Sequence, residues 1–445
     1  MNCITRSKIP LRPHQIKVVE YILNPRNSGL LVVHFCGMGK SLSAIASSQG
    51  FLDLNPNHNI VVVCGKSLIP NFKKEMVKYG VKNANRYSFF TYGKVMHLHK
   101  KNRLEQVPCS KNTMIVIDES HNLKNYNTAT FNAVFRIAKL CQKRLLLTAT
   151  PFVNSHTDFI SVINLVHGSA VIGAKKHYRQ GLCNDYIEAN KGLSFNNNAM
   201  FIKYLNKRVY YLNQTKNDDF PSVNEKYVTV EMSPEYESVY SRLMEGQSVN
   251  SISFESPEVF YNGHRRAVNT ISVEYDNSMN EFTMKLKEML SVLKEGKTMI
   301  FTNWIEFGID AIVQFLKAND LTFRSFYGQL TQDERAQVVK DYNDNLVDCL
   351  IITRAGGEGI DLMETKNVII LDPTWNPTTM VQIKSRAIRF RSHVNLPKEE
   401  QVVTIYYMAL VGKEVKSGDE VLYRIIRSKE KAKKESERFL KNLSI

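Results

Sequence analysis

No part of the 445-residue chain approaches the roughly 18–20 consecutive apolar residues of a membrane-spanning helix, so a membrane role is not expected. The opening residues, Met1-Asn2-Cys3-Ile4-Thr5-Arg6-Ser7-Lys8, carry no apolar core of the kind a secretory signal needs. Cysteine is sparse and badly spaced for chemistry. The seven residues at 3, 36, 64, 109, 141, 183 and 349 form no C-x-x-C pair, and their number is odd. That argues against a disulfide framework and against a cysteine-based zinc site. The expected home is a reducing compartment: cytoplasm, nucleus or virion interior, not the secreted space. Acidic residues are also short, 43 against 59 Lys and Arg, which leaves a net charge of +16. A chain this basic is suited to a polyanion, because each Lys or Arg placed on a phosphate releases condensed counterions. Nucleic acid is the expected partner. No repeat with a period of 20–50 residues is present.

What the chain does have is an ordinary globular composition, 43% apolar and 23% charged, in a length suited to two or three domains. Short apolar runs occur in two sets. The first lies at 30–33, 60–63, 114–117 and 145–147; the second at 299–301, 322–326, 350–352, 368–371 and 402–407. Continuous apolar runs that alternate with helical patterns predict parallel strands buried on both faces, hence two α/β lobes. Between the sets, residues from about 155 to 220 are rich in Asn, Lys and Tyr and read as helical, with a loop at Asn196-Asn197-Asn198. Residues from about 221 to 280 are polar and read as a connector, and a charged amphipathic helix is expected from Arg427 to Lys441. The expected division is a first lobe at 1–168, a helical insert and connector at 169–280, a second lobe at 281–425 and a basic helix at 426–445.

The chemistry-bearing residues follow the apolar runs, where loops and helix N-termini gather at the carboxyl edge of a parallel sheet. After 30–33 comes His34-Phe35-Cys36-Gly37-Met38-Gly39-Lys40-Ser41. Gly37 and Gly39 allow backbone N–H groups to approach phosphate oxygens, Lys40 suits the β- and γ-phosphates, and the Ser41 hydroxyl suits Mg2+. The strict phosphate-loop pattern would have Gly where this chain has His34. After 114–117 come Asp118 and Glu119: one carboxylate to hold Mg2+, one to orient and deprotonate water. Thr148 and Thr150, after 145–147, are placed to hydrogen-bond those carboxylates. In the second set, Gly356, Gly357 and Gly359 open a loop after 350–352. Arg386 and Arg389, three residues apart, would share one helical face and suit charge on a transferring phosphoryl group.

As a set, Gly37-Met38-Gly39-Lys40-Ser41, Asp118-Glu119-Ser120-His121, Thr148-Ala149-Thr150, Gly357-Glu358-Gly359-Ile360-Asp361 and Gln382…Arg386…Arg389 resemble motifs I, II, III, V and VI of superfamily 2 helicases, in order. Finer features resemble the Snf2-like branch: Leu11-Arg12-Pro13-His14-Gln15 at the start, Val63 to Phe72 as motif Ia, Phe301-Thr302-Asn303-Trp304 as motif IV, and Asp372-Pro373-Thr374-Trp375-Asn376-Pro377 before motif VI. Arg386 to His393 and Gly418 to Lys429 are similar to the viral nucleoside triphosphatase I group of large DNA viruses. Ser385 stands where many members have Gly.

The resemblance implies two RecA-like parallel-sheet lobes with an ATP cleft between them and a helical insert. It assigns catalysis to Lys40, Asp118, Glu119, Arg386 and Arg389, and Mg2+ to Ser41 and Asp118. Nucleotide contacts fall to Gln15, which would read the adenine edge, and to His34, Gly37, Met38, Gly39, Lys40, Ser41, Gly359 and Asp361. The implied activity is nucleic-acid-dependent hydrolysis of ATP at the β–γ phosphoanhydride. The implied machine is a monomeric double-stranded DNA translocase of viral origin, with DNA favoured over RNA and transcription or replication proteins as candidate partners. Two alternatives stand beside it: an RNA helicase of DEAH type, suggested by Asp118-Glu119-Ser120-His121, and a nucleic-acid-binding scaffold whose ATPase has decayed.

Overall fold

The computed structural model describes residues 2–5, 7–149, 158–171, 199–212, 219–246, 262–270, 284–357, 360–375 and 377–445. The chain forms two compact units. The first comprises Met1–Thr215 together with Lys431–Ile445, and the second Lys216–Glu430.

In the first unit, six parallel strands run β1 (Gly29–His34), β2 (Asn59–Cys64), β3 (Tyr87–Thr91), β4 (Thr113–Asp118), β5 (Lys143–Thr148) and β6 (Val209–Leu212), in the spatial order β3-β2-β4-β5-β1-β6. Side chains alternate between sheet faces, and this sorts the apolar runs into two cores. Leu31, Val33, Val61, Val63, Ile115, Ile117 and Leu146 face one; Leu30, Val32, Ile60, Val62, Met114, Val116, Leu145 and Leu147 face the other. The unbroken apolar pattern is therefore what two helical layers demand. All strands being parallel, β1, β4 and β5 deliver their last residues, His34, Asp118 and Thr148, to one edge.

The second unit has six more parallel strands: β7 (Ser222–Glu231), β8 (Thr298–Phe301), β9 (Phe323–Phe326), β10 (Cys349–Ile352), β11 (Asn367–Ile370) and β12 (Val402–Val411), ordered β7-β12-β11-β8-β10-β9. Ile300, Ile351, Ile369, Tyr406 and Met408 share a core with Leu286, Leu293, Ile312 and Leu316 from the covering helices.

The two expected α/β sheets are thus both present, with differences at their margins. The stretch read as helical from 155 to 220 is helical at Asp158–His167 and Ala199–Leu205, but Val209–Leu212 is an edge strand. The polar stretch read as connector begins with β7, ten residues long. Asn196-Asn197-Asn198 and most of the expected insert lie outside the described residues. The C-terminal helix runs Gly418–Leu443, and its residues from Lys431 onward count with the first unit. There Phe439, Leu440 and Leu443 enter the core, while Ser444 bridges to Val209 and accepts the Tyr211 N–H at 2.9 Å. Among the described residues no helix is long and apolar enough to cross a membrane.

Candidate active site

The loop after β1 is shaped by two left-handed glycines, Gly37 at φ 79° and Gly39 at φ 78°. The left-handed angle at Gly39 favours glycine, and a Cβ there would sit 2.4 Å from the Gln15 amide nitrogen and displace that side chain. Helix Lys40–Leu54 starts directly after it with no side-chain cap, leaving its first N–H groups to an anion. Lys40 Nζ rests on the His34 carbonyl at 3.1 Å.

Two consecutive residues of helix Pro13–Leu23 grip this loop. His14 Nε2 donates to the Met38 carbonyl at 2.9 Å, and Gln15 Nε2 donates to the Gly39 carbonyl at 3.2 Å. The other end of the Gln15 amide accepts the Arg12 N–H at 2.9 Å. Gln15, expected to read adenine, is buried here as a tie that holds the phosphate loop. His34 is fully buried, packed edge-on against the rings of His14 and Tyr210, each 5.2 Å away. Among the described residues, neither of its ring nitrogens has a hydrogen-bond partner. Burial, helped by the charges of His14 and Lys40, drives its pKa down to about 2, so the ring stays neutral. An uncharged ring thus stands at the position where the strict pattern has glycine.

Asp118 ends β4, and Glu119 follows in the left-handed region at φ 54°. That conformation is costly for a non-glycine residue. It is held by a bond from the Glu119 N–H to Asp118 Oδ1 at 3.0 Å. The Tyr92 hydroxyl also reaches the Asp118 carbonyl at 2.5 Å and the Glu119 carbonyl at 3.3 Å. His121 Nδ1 lies 3.1 Å from Glu119 Oε2 and 3.2 Å from Thr148 Oγ1. His121 thus links Thr148 to the Glu119 carboxylate. Thr150 lies outside the described residues.

Burial first, and the Glu119 charge second, raise the Asp118 pKa, with Lys40 opposing them. A buried carboxylate whose charge is this disfavoured is eased by a divalent cation. No group of three or more His, Cys, Asp or Glu side chains among the described residues makes a self-sufficient metal cage. A hydroxyl and a single carboxylate, Ser41 and Asp118, would suit Mg2+, an ion bound through few protein ligands.

In the second unit, Arg386 is buried near the end of helix Pro377–Ala387. Its Nε donates to the Gln382 carbonyl at 3.1 Å and its NH1 to the Ile360 carbonyl at 3.4 Å. Arg389 lies beyond the helix end, so the two arginines do not share a helical face. Its Nε donates to the Ser385 carbonyl at 3.1 Å and its NH1 pairs with Asp361. Asp361 and Arg389, named from separate motifs, are thereby brought together. Ser385 is accommodated by donating to the Gln382 carbonyl at 2.7 Å. Gly359 lies outside the described residues. His14 and Tyr92 were missed in the sequence. His14 adjoins Gln15 and could have been found that way, but nothing local marks Tyr92.

The chain matches the SNF2-related domain over residues 88–296, the helicase conserved C-terminal domain over 282–391, and the type III restriction enzyme res subunit over 8–153. It is 28% identical to a protein of Acanthamoeba polyphaga mimivirus whose name proposes an ATP-dependent RNA helicase, covering 89% of this chain and 88% of that one. It is 22% identical to nucleoside triphosphatase I of Choristoneura biennis entomopoxvirus, covering 96% and 78%. Among solved structures, it resembles the Sulfolobus solfataricus SWI2/SNF2 ATPase core in complex with double-stranded DNA at 21% identity and a TM-score of 0.42, covering 91% and 89%.

Proposed function

Because the chain belongs to the Snf2-like branch of the superfamily 2 helicases and is an ATP hydrolase of that family, we propose that it is a nucleic-acid-stimulated motor that moves along double-stranded DNA. The observation that carries the nucleotide part is the meeting of the loop at Gly37, Met38 and Gly39 with Lys40 and the Asp118–Glu119 pair at one sheet edge. Free N–H groups of helix Lys40–Leu54 and the Lys40 ammonium hold phosphate oxygens. Ser41 and Asp118 would hold Mg2+, which when bound would offset charge on the phosphates. Glu119 takes a proton from the attacking water, and His121 and Thr148 keep its carboxylate in place. Arg386 and Arg389 are the charge-stabilising arginines of the reaction, a role that requires them to exchange the Gln382 and Ile360 carbonyls and Asp361 for phosphate oxygens. Gln15 and His34 act on the loop rather than on the nucleotide's reacting atoms.

The net charge of +16 supports a polyanion partner. The reading is tested by ATP turnover measured side by side with duplex DNA, single-stranded DNA and RNA. The greatest stimulation is expected from duplex DNA. Stimulation by RNA alone would overturn the DNA reading in favour of an RNA helicase, the activity proposed in the name of the mimiviral relative.

A further inference from the structure

The second unit holds a cluster of cationic and aromatic side chains with an unmet need for an anion. The chain has two tryptophans, and both are in it. The Arg265 guanidinium lies over Trp304 at 5.0 Å and over Trp375 at 5.8 Å; that of Arg266 lies over Trp304 at 5.0 Å and Phe307 at 5.5 Å. Two guanidiniums thus sit on one indole, with exposed Arg354 close enough to act electrostatically on Arg265. Arg265 is only 7% exposed, yet among the described residues no salt bridge involves either arginine.

Two carboxylates act electrostatically on Arg265, Asp372 more strongly than Asp419; Asp419 is paired with Lys285, and Asp372 is already committed. Its Oδ1 accepts from Thr302 at 2.7 Å and Asn269 at 2.9 Å, and its Oδ2 accepts from the Asn303 N–H at 2.9 Å and the Asn303 side-chain amide. Among the described residues, the buried donors without a hydrogen-bond partner include Arg265 Nε, Arg266 Nε and Trp304 Nε1. Buried donors without acceptors are uncommon, and a buried arginine without a counter-charge more so. Stacking satisfies the faces of the guanidiniums but not their N–H edges. The cluster is placed where ligands of parallel sheets bind. Trp304 follows β8, Asp372 follows β11 and Arg354 follows β10, three neighbouring strands whose carboxyl ends share an edge.

We propose that Arg265, Arg266 and Trp304 form a seat for a phosphate oxyanion, occupied in the working protein by a backbone phosphate of nucleic acid. The proposal rests on the motor reading for the identity of its ligand, though not for the chemistry of the seat. Phosphate oxygens can accept from these donors, and one phosphodiester adds a negative charge beside two stacked guanidiniums that no salt bridge among the described residues engages. No base edge is read, so binding here is indifferent to sequence.

Because both tryptophans belong to the cluster, intrinsic emission of the full chain reports on the seat. The test titrates the wild-type protein and Arg266→Gln with a duplex oligonucleotide and, separately, with inorganic phosphate. Emission and the anisotropy of a labelled oligonucleotide are both followed over a range of salt. Arg266 is half-buried, and an unchanged melting curve checks that the variant folds. The expected result is an emission change on oligonucleotide binding, affinity about tenfold lower in Arg266→Gln, and a salt dependence shallower by about one unit of slope. Oligonucleotide binding with unchanged emission, and an unaltered salt slope in the variant, would overturn the seat while leaving the motor reading standing. Absence of any oligonucleotide binding would overturn the motor reading instead. The inorganic phosphate arm then decides the seat: an Arg266-dependent emission change upholds it, and none rejects it.

Discussion

At the scale of single residues, the acidic pair makes a testable demand. Asp118 keeps its proton to higher pH in the folded protein than in the unfolded chain, where a carboxyl titrates near about 3.9. Above that pH the folded state binds more protons than the unfolded one, so this group subtracts stability as pH rises and subtracts nothing below it. Asp118→Asn should therefore raise the melting temperature at pH 8 and leave it nearly unchanged at pH 4, while turnover is lost; a lowered melting temperature at pH 8 would contradict the burial argument. Tyr92→Phe removes the hydroxyl that holds the Asp118 and Glu119 carbonyls. As a positioning residue, Tyr92 should cost about tenfold in kcat with little change in KM for ATP. Lys40, Ser41, Asp118 and Glu119 could be singled out in the sequence because phosphate and metal chemistry restricts residue type and spacing. Tyr92 and His14 were not, because they act by donating to main-chain carbonyls, a task that leaves no pattern of neighbours. His121 and Thr148 meet only because β5 lies beside β4.

Among the elements, the start of helix Gly418–Leu443 is fixed by a buried ion pair. Lys285 Nζ lies 2.7 Å from Asp419 Oδ2 and donates to the Leu371 carbonyl at 2.6 Å, while Asp419 accepts the Leu410 N–H at 3.0 Å. Both side chains are almost wholly enclosed, and burial lifts the Asp419 pKa to about 6 despite Lys285. Lys285→Met leaves that carboxylate without its cation and should cost about 3–5 kcal/mol in denaturant unfolding. Adding Asp419→Asn should recover much of the loss, and a double variant no more stable than the single one would argue against a charge-based cause. Strands β1, β2, β4 and β5 were readable because helices cover both their faces, so each has an unbroken apolar run at its centre. β3 and β6 lie at sheet edges, and β7, exposed along most of its length, carries Asn, Glu, Lys and Thr between its apolar residues. Such strands are specified by pairing with a neighbour distant in sequence, β12 in the case of β7, and a local pattern does not reveal it.

For the whole molecule, the +16 charge predicts that duplex DNA binding weakens steeply with salt, its slope counting the phosphates engaged; a flat dependence would contradict a phosphate-tracking surface. Removing residues 431–445 should destabilise the first unit, because Phe439, Leu440 and Leu443 belong to its core. Each large apolar side chain withdrawn from such a site costs about 2–5 kcal/mol, so the shortened chain should melt earlier or precipitate. The same discontinuity governs how the protein is born. A ribosome emits the first 215 residues, then the entire second unit, before it supplies the side chains that complete the first. At roughly 5–20 residues per second, that interval lasts on the order of ten to forty seconds. Throughout it, a nascent apolar surface waits for a tail not yet made, so synthesis, and not only folding rate, sets how long this chain depends on chaperones.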